Sequence, residues 1–250
     1  MTIARRRCSV WAFALLGLAP AEAWAQDLPE ATFSQPIVLV VALAFAALAP
    51  FLFMSLTAFV KISTVLQIAR GAIGAHNIPS NTVVMALAGA LTLIAMAPVG
   101  TRIMERAEPL FDTEGPPTTS ELVGGLVTAT REPLREFLKA NASGRERTRF
   151  FELARQSYAP EDRGQVGPDD LPVIIPAFVV TELVEAFALG FAIYLPFLII
   201  DLVVANVLLA LGMQMMSPSQ IALPFKLLLF VAVDGWGLLS QALVTGYSPG

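Results

Sequence analysis

The chain has 250 residues, of which 56% are hydrophobic and 14% charged, with a mean hydropathy of +0.68. Soluble domains average about 25% charged residues, so this is the composition of an integral membrane protein. A net charge of −4, with no basic cluster among aromatics, argues against nucleic acid, and one Cys with one His leaves neither a metal cluster nor a Cys/His catalytic pair.

Residues 1–25 have the layout of a secretory signal: Arg5-Arg6-Arg7, an apolar stretch from Val10 to Ala19, then Ala23-Trp24-Ala25, with cleavage expected before Gln26. Cys8 would leave with it, so disulfides play no part in the mature chain. Residues 26–101 read as a first hydrophobic hairpin. After a polar lead, the 24 residues Ile37–Val60 carry no charge, long enough for a span of about 20. Lys61–Asn81 reads as a short basic loop, because Lys61, Arg70 and His76 stand there without an acid, and Gly71, Gly74, Asn77, Pro79 and Ser80 are turn residues. Thr82–Thr101 is apolar again, with Ala86, Ala88, Gly89 and Ala90 small enough for close helix packing.

Residues 102–172 read as a helical insert, expected in the periplasm from the topology argued below. Charges of both signs alternate from Glu105 to Asp170, Gly115-Pro116-Pro117 breaks the chain, and Glu121–Tyr158 has helical periodicity. Ser120-Glu121 looks like a helix start and Asn141–Gly144 like a break between two helices. Arg145, Arg147 and Arg149 read as a solvated face.

Residues 173–250 form a second hydrophobic hairpin. Ala186–Ile200 and Leu202–Gly212 flank Asp201, and Ile221–Val233 is apolar around Lys226 before Asp234-Gly235-Trp236. Gly212 suits a helix end and Pro218 a restart, so the hairpin bends at Met213, Met215 and Met216. Three of eight methionines at one bend suit a deformable constriction, although methionine also serves as core filler. Ionisable groups facing lipid cost about 2.5–3.5 kcal/mol on insertion scales, so Asp201, Lys226 and Asp234 are expected to face protein or water. A bend near residue 216 brings Lys226 within about a turn of Asp201, as a structural salt bridge. Glu182 and Glu185, three apart, share a helix face; they suit interhelical hydrogen bonding, with a proton site as the other reading.

The fold class expected is all-α, with kinked or broken membrane-type helices, because Pro50, Pro98, Pro176, Pro196 and Pro224 fall inside apolar runs. With the signal removed, the positive-inside rule places the loop 61–81 and the methionine bend in the cytoplasm and the insert in the periplasm. No nucleophile–base pair stands out, and His76 reads as a plain loop histidine, so an intramembrane enzyme is the poorest class. A proton-coupled secondary transporter using Glu182, Glu185, Asp201 and Lys226 is the alternative to a pore subunit, weakened by the lack of an evident inverted repeat.

Ile193–Asn206 (IYLPFLIIDLVVAN), Leu211–Pro218 (LGMQMMSP), Leu223–Phe230 (LPFKLLLF) and Asp234-Gly235-Trp236 together closely resemble the FliP/SctR family, the export-gate proteins of flagellar and virulence-associated type III secretion. Phe59-Val60-Lys61-Ile62, the Gly71–Pro79 turn, Ala97-Pro98-Val99 and Ile175–Leu183 are similar to that family's earlier signatures. The resemblance implies a non-enzymatic pore subunit without cofactor. About five copies would wind with two other small hydrophobic export-gate proteins into a cone-shaped gate. Unfolded secreted proteins would pass through it across the bacterial inner membrane, and the finished complex would stand largely in the periplasm. It also implies a pore gasket at Met213, Met215 and Met216, here interrupted by Gln214. The cleavable signal and Ile221-Ala222-Leu223-Pro224 resemble the flagellar branch; Glu185, Asn206 and the Arg-rich Gly144–Tyr158 resemble the injectisome branch, to which the balance leans.

Overall fold

The computed structural model describes residues 34–75, 78–110, 119–213 and 215–248; the expected signal, the Gly115–Pro117 break, His76 and Gln214 lie outside the described residues. Eight α-helices and no strand occur among them: α1 (Ser34–Leu56), α2 (Phe59–Ile73), α3 (Asn81–Ala107), α4 (Thr119–Asn141), α5 (Gly144–Ser157), α6 (Leu171–Ala210), α7 (Pro218–Ala232) and α8 (Gly235–Thr245). Residues 1–45 and 46–250 are two compact units. The described part of the first is the opening half of α1, and all packing below lies within the second.

The expected basic loop 61–81 is corrected by α2, which is helical through Ile73. Its Ile62, Val65, Leu66 and Ala69 recur at helical spacing and are fully buried. A helix with that stripe forms because the stripe has somewhere to go. Residues of α2, α3 and α6, with Leu243 of α8, make one core cluster; Ala72 and Ile73 with Phe197 and Phe230 make another. At Gly190 of α6, an added Cβ would lie 2.4 Å from the Ile68 side chain, so glycine is what lets α2 and α6 approach. The turn chemistry is confined to the end of this stretch: Gly74 closes α2 with a φ of 76°, and Ser80 caps α3 by accepting from the Val83 N–H at 3.4 Å.

The prolines do not break the helices. α1, α3, α6 and α7 run through Pro50, Pro98, Pro176, Pro196 and Pro224. The interruptions fall elsewhere, turning the chain by 70° between residues 46–56 and α2, and by 57° between α7 and α8. At the first, Thr57 diverts backbone bonding to its side chain: Oγ1 donates to the Phe53 carbonyl at 2.6 Å and accepts from the Phe59 N–H at 3.3 Å. At the second, Asp234 adopts left-handed backbone (φ 50°), and a Cβ on the following Gly235 would collide with the Phe230 ring.

The charged stretch folds into α4 and α5, divided at residues 142–143, where Ser143 caps α5 by accepting from the Glu146 N–H. Phe137, Leu138 and Ala142 are buried with Val99 of α3 and Ile174, Ala177 and Phe178 of α6. Among the described residues two helices, α3 with its short 3-10 extension and α6, are long and apolar enough to cross a membrane, or up to four spans if each bent pair counts as one. Both reach beyond the expected apolar segments: α3 continues past Thr101 to Ala107, and α6 begins at Leu171.

Candidate functional site

Two lysines are buried against α2, one near each end. Lys61 leaves the first turn of α2 with a side chain only 5% exposed. Its ammonium lies 3.2 Å from Glu182 Oε1 and 2.8 Å from Glu185 Oε2, and 4.1 Å above the Tyr247 ring centre. Glu182 and Glu185 meet one cation because residues three apart share a helix face. They differ sharply in setting: Glu182 is fully buried and Glu185 is half exposed. Tyr247, just after α8, closes the cluster by donating to the Glu182 carboxylate, with its hydroxyl also 3.1 Å from the Ala58 carbonyl. Burial pushes the Tyr247 phenol above its ordinary value, and the neighbouring Glu182 adds to the effect, so it stays a neutral donor.

At the other end, Lys226 of α7 donates to Asp201 Oδ2 of α6 at 2.6 Å and to the Ala72 carbonyl of α2 at 3.2 Å. The ammonium thereby satisfies an end-of-helix carbonyl as well as a carboxylate. Asp201 Oδ1 is buried without a hydrogen-bond partner among the described residues. Asp234 stands apart from both clusters: it is exposed and forms no ion pair among the described residues.

The bend between α6 and α7 is built from ordinary end chemistry. Gly212 (φ 73°) ends α6, with its N–H on the Leu209 carbonyl and the Met213 N–H reaching back to Leu208 at 2.9 Å. Ser217 precedes Pro218, the first residue of α7. The three methionines are therefore held out on a turn: Met213 and Met216 are 40% exposed and Met215 fully so.

The sequence singled out both carboxylates of the first cluster but neither Lys61 nor Tyr247. The signal for Lys61 was available: a lone cation amid Ile62, Val65 and Leu66 at helical spacing needs a buried partner. For Tyr247 there was none, since its contacts come from residues 65 and 189 positions away. Among the described residues no group of His, Cys, Asp and Glu could hold a metal.

These motif-bearing segments match known proteins. The FliP family model matches residues 42–243. The chain belongs to the FliP family. It is 42% identical over 215 residues to the hypersensitivity response secretion protein HrcR of Ralstonia nicotianae, covering 86% of this chain and 97% of that one. To the Yop proteins translocation protein R of Yersinia pestis it is 40% identical over 211 residues, covering 84% and 96%. The surface presentation of antigens protein SpaP of Salmonella typhi is 40% identical over 222 residues, covering 84% and 96%. Membership of this family, the FliP/SctR export-gate proteins, makes the chain a component of the type III secretion apparatus. With its apolar helices, it is a membrane protein of a multi-component complex.

Proposed function

We propose that this chain is a non-enzymatic, pore-forming core subunit of the type III export gate, conducting unfolded secreted proteins across the bacterial inner membrane. It does so as a homo-oligomer of about five copies joined by two other small hydrophobic export-gate proteins. The assembled complex stands largely in the periplasm. The first 25 residues are a signal removed before Gln26; a mature terminus at Met1 would refute that.

The observation that carries the pore reading is the methionine bend. Three unbranched, flexible side chains sit on the turn between two helices, Met215 fully exposed and Met213 and Met216 partly so. Such side chains can close on one another and still yield to passengers of varied shape. Glu182, Glu185, Asp201 and Lys226 serve as a structural charge network that fixes the helices behind the bend. Held in ion pairs at 2.6–3.2 Å, the network's carboxylates resemble fasteners more than a proton relay, which ranks a proton-coupled secondary transporter second.

Replacing Met213, Met215 and Met216 together by alanine separates seal from packing. Were they packed, each truncation would cost about 2–5 kcal/mol and the complex would be lost. The expected outcome is normal yield of assembled complex with small-solute leak across the inner membrane, read as conductance alongside complex recovery. A triple variant that assembles, stays as tight as the parent and still exports would overturn the gasket.

A further inference from the structure

Tyr247 and Ser248, shortly after α8, touch more of the molecule than their length suggests. Tyr247 stacks on Phe137 of α4 at 6.0 Å and 25°, lies under the Lys61 ammonium, and reaches both Glu182 and the Ala58 carbonyl at the bend between α1 and α2. The next residue is held through its backbone. Asn141, the last residue of α4, donates from Nδ2 to the Ser248 carbonyl at 2.8 Å and accepts from the Ser248 N–H at 3.0 Å. That side-chain amide offers a donor and an acceptor side by side, as a paired strand would, and so reads the backbone at 248 and not its side chain. The same Nδ2 lies 2.9 Å from the Phe137 carbonyl, which ties the clamp to the helix that carries the stacked ring.

We propose that residues 246–248 are a latch. They follow in the chain every element they grip, and they couple the position of α4 to the α1–α2 bend and to the Lys61 cluster. With the latch closed, the buried ammonium has two carboxylates and an aromatic face, and Glu182 has a second donor. With it open, Lys61 loses the ring, Glu182 loses the phenol, and the Ala58 carbonyl loses a contact besides its helical bond from Ile62. The two ends of so short a segment cannot act separately: freeing Ser248 loosens Tyr247, and freeing Tyr247 loosens Ser248. This inference does not depend on what passes through the gate.

Amide hydrogen exchange on the full-length protein in detergent tests it, with residues 59–62 as the reporter. Tyr247→Phe keeps the ring and removes the hydroxyl; exchange at 59–62 should rise about tenfold, the equivalent of one buried hydrogen bond to a charged group. Asn141→Ala touches neither Lys61 nor Glu182, yet should speed the same amides by about threefold or more through release of residue 248. Ser248→Pro deletes the N–H that Asn141 accepts and also restricts the backbone of Tyr247 before it; leaving α4 untouched, it should raise exchange at 59–62 at least as much as Asn141→Ala, guarding against simple damage to α4. Ser248→Ala should exchange like the parent. The double variant Asn141→Ala/Tyr247→Phe should be little faster than Tyr247→Phe alone, since a latch opens once. Parent-like exchange at 59–62 in both Asn141→Ala and Ser248→Pro would overturn the proposal, as would full additivity in the double variant.

Discussion

Removing Asp201 alone strands the Lys226 ammonium, whose side chain is only 6% exposed and whose remaining partner is one carbonyl of α2. An uncompensated buried charge costs about 3–5 kcal/mol, and the part-exposure of Asp201 puts this pair toward the lower figure. Asp201→Ala and Lys226→Ala are each expected to lower the recovery of assembled complex, measured by affinity purification from membranes. The double variant should regain part of it, because it leaves neither charge behind. Wild-type recovery in both single variants would show that water reaches the site. The pair was legible in the sequence because both residues interrupt apolar runs on either side of one bend, and helical rise alone brings them within about a turn of each other. Lys61 was missed despite its apolar setting, because the turn residues at 71–80 drew the loop boundary thirteen residues too early.

Among the helices, α6 is anchored at its start by a carboxylate just outside it. Asp169 accepts from Lys139 of α4 and, at 2.7 Å, from Arg147 of α5, while its own carbonyl accepts from Arg135 at 2.9 Å. The hydrogen bond from Lys139 holds the Asp169 carboxyl below its ordinary value of 3.8, aided by the charges of Lys139 and Arg147 against some desolvation. A folded-state value below the unfolded one adds stability that is complete above the unfolded value and is lost as pH falls through the folded one. Asp169→Asn should therefore lower the thermal midpoint modestly at neutral pH, as expected for a part-exposed ion pair, with the difference from the parent beginning to shrink as pH falls below 3.8 and vanishing only below the lower folded-state value. A pH-independent difference would assign the effect to packing. The division of the insert into α4 and α5 could be read from periodicity and the Asn141–Gly144 break, since both are local. The bends at 57–58 and 233–234 could not, because they depend on a threonine hydroxyl and on a ring placed against Gly235, whereas the prolines that advertised breaks are absorbed within helices.

At the scale of the whole molecule, α6 is apolar around its circumference, and Phe187, Phe191, Ile199, Leu202 and Leu209 are all exposed on it. A helix of this kind is stable only when lipid or other protein covers it. Native mass spectrometry in mild detergent, with partner subunits co-expressed, is expected to show several copies bound together; a lasting monomer would contradict that. The sequence could show that such a surface exists, through its composition, but not which parts of it the chain covers itself. That depends on pairings such as Gly190 with Ile68 between segments more than a hundred residues apart.

The two buried lysines have a consequence for the length of α6. One engages it at Glu182 and Glu185, the other at Asp201, and the stretch from Glu185 to Asp201 spans about 24 Å at 1.5 Å per residue. A single residue inserted between Gly190 and Pro196 would turn everything beyond it by about 100° and advance it by about 1.5 Å. Whichever end then kept its partner, the lysine at the other would stay buried without its carboxylate. A whole extra turn would restore the direction of Asp201 but leave it about 5.4 Å too far along. The lysines thus act as a gauge with two jaws, tolerant of most side-chain changes along α6 and intolerant of any change in its residue count.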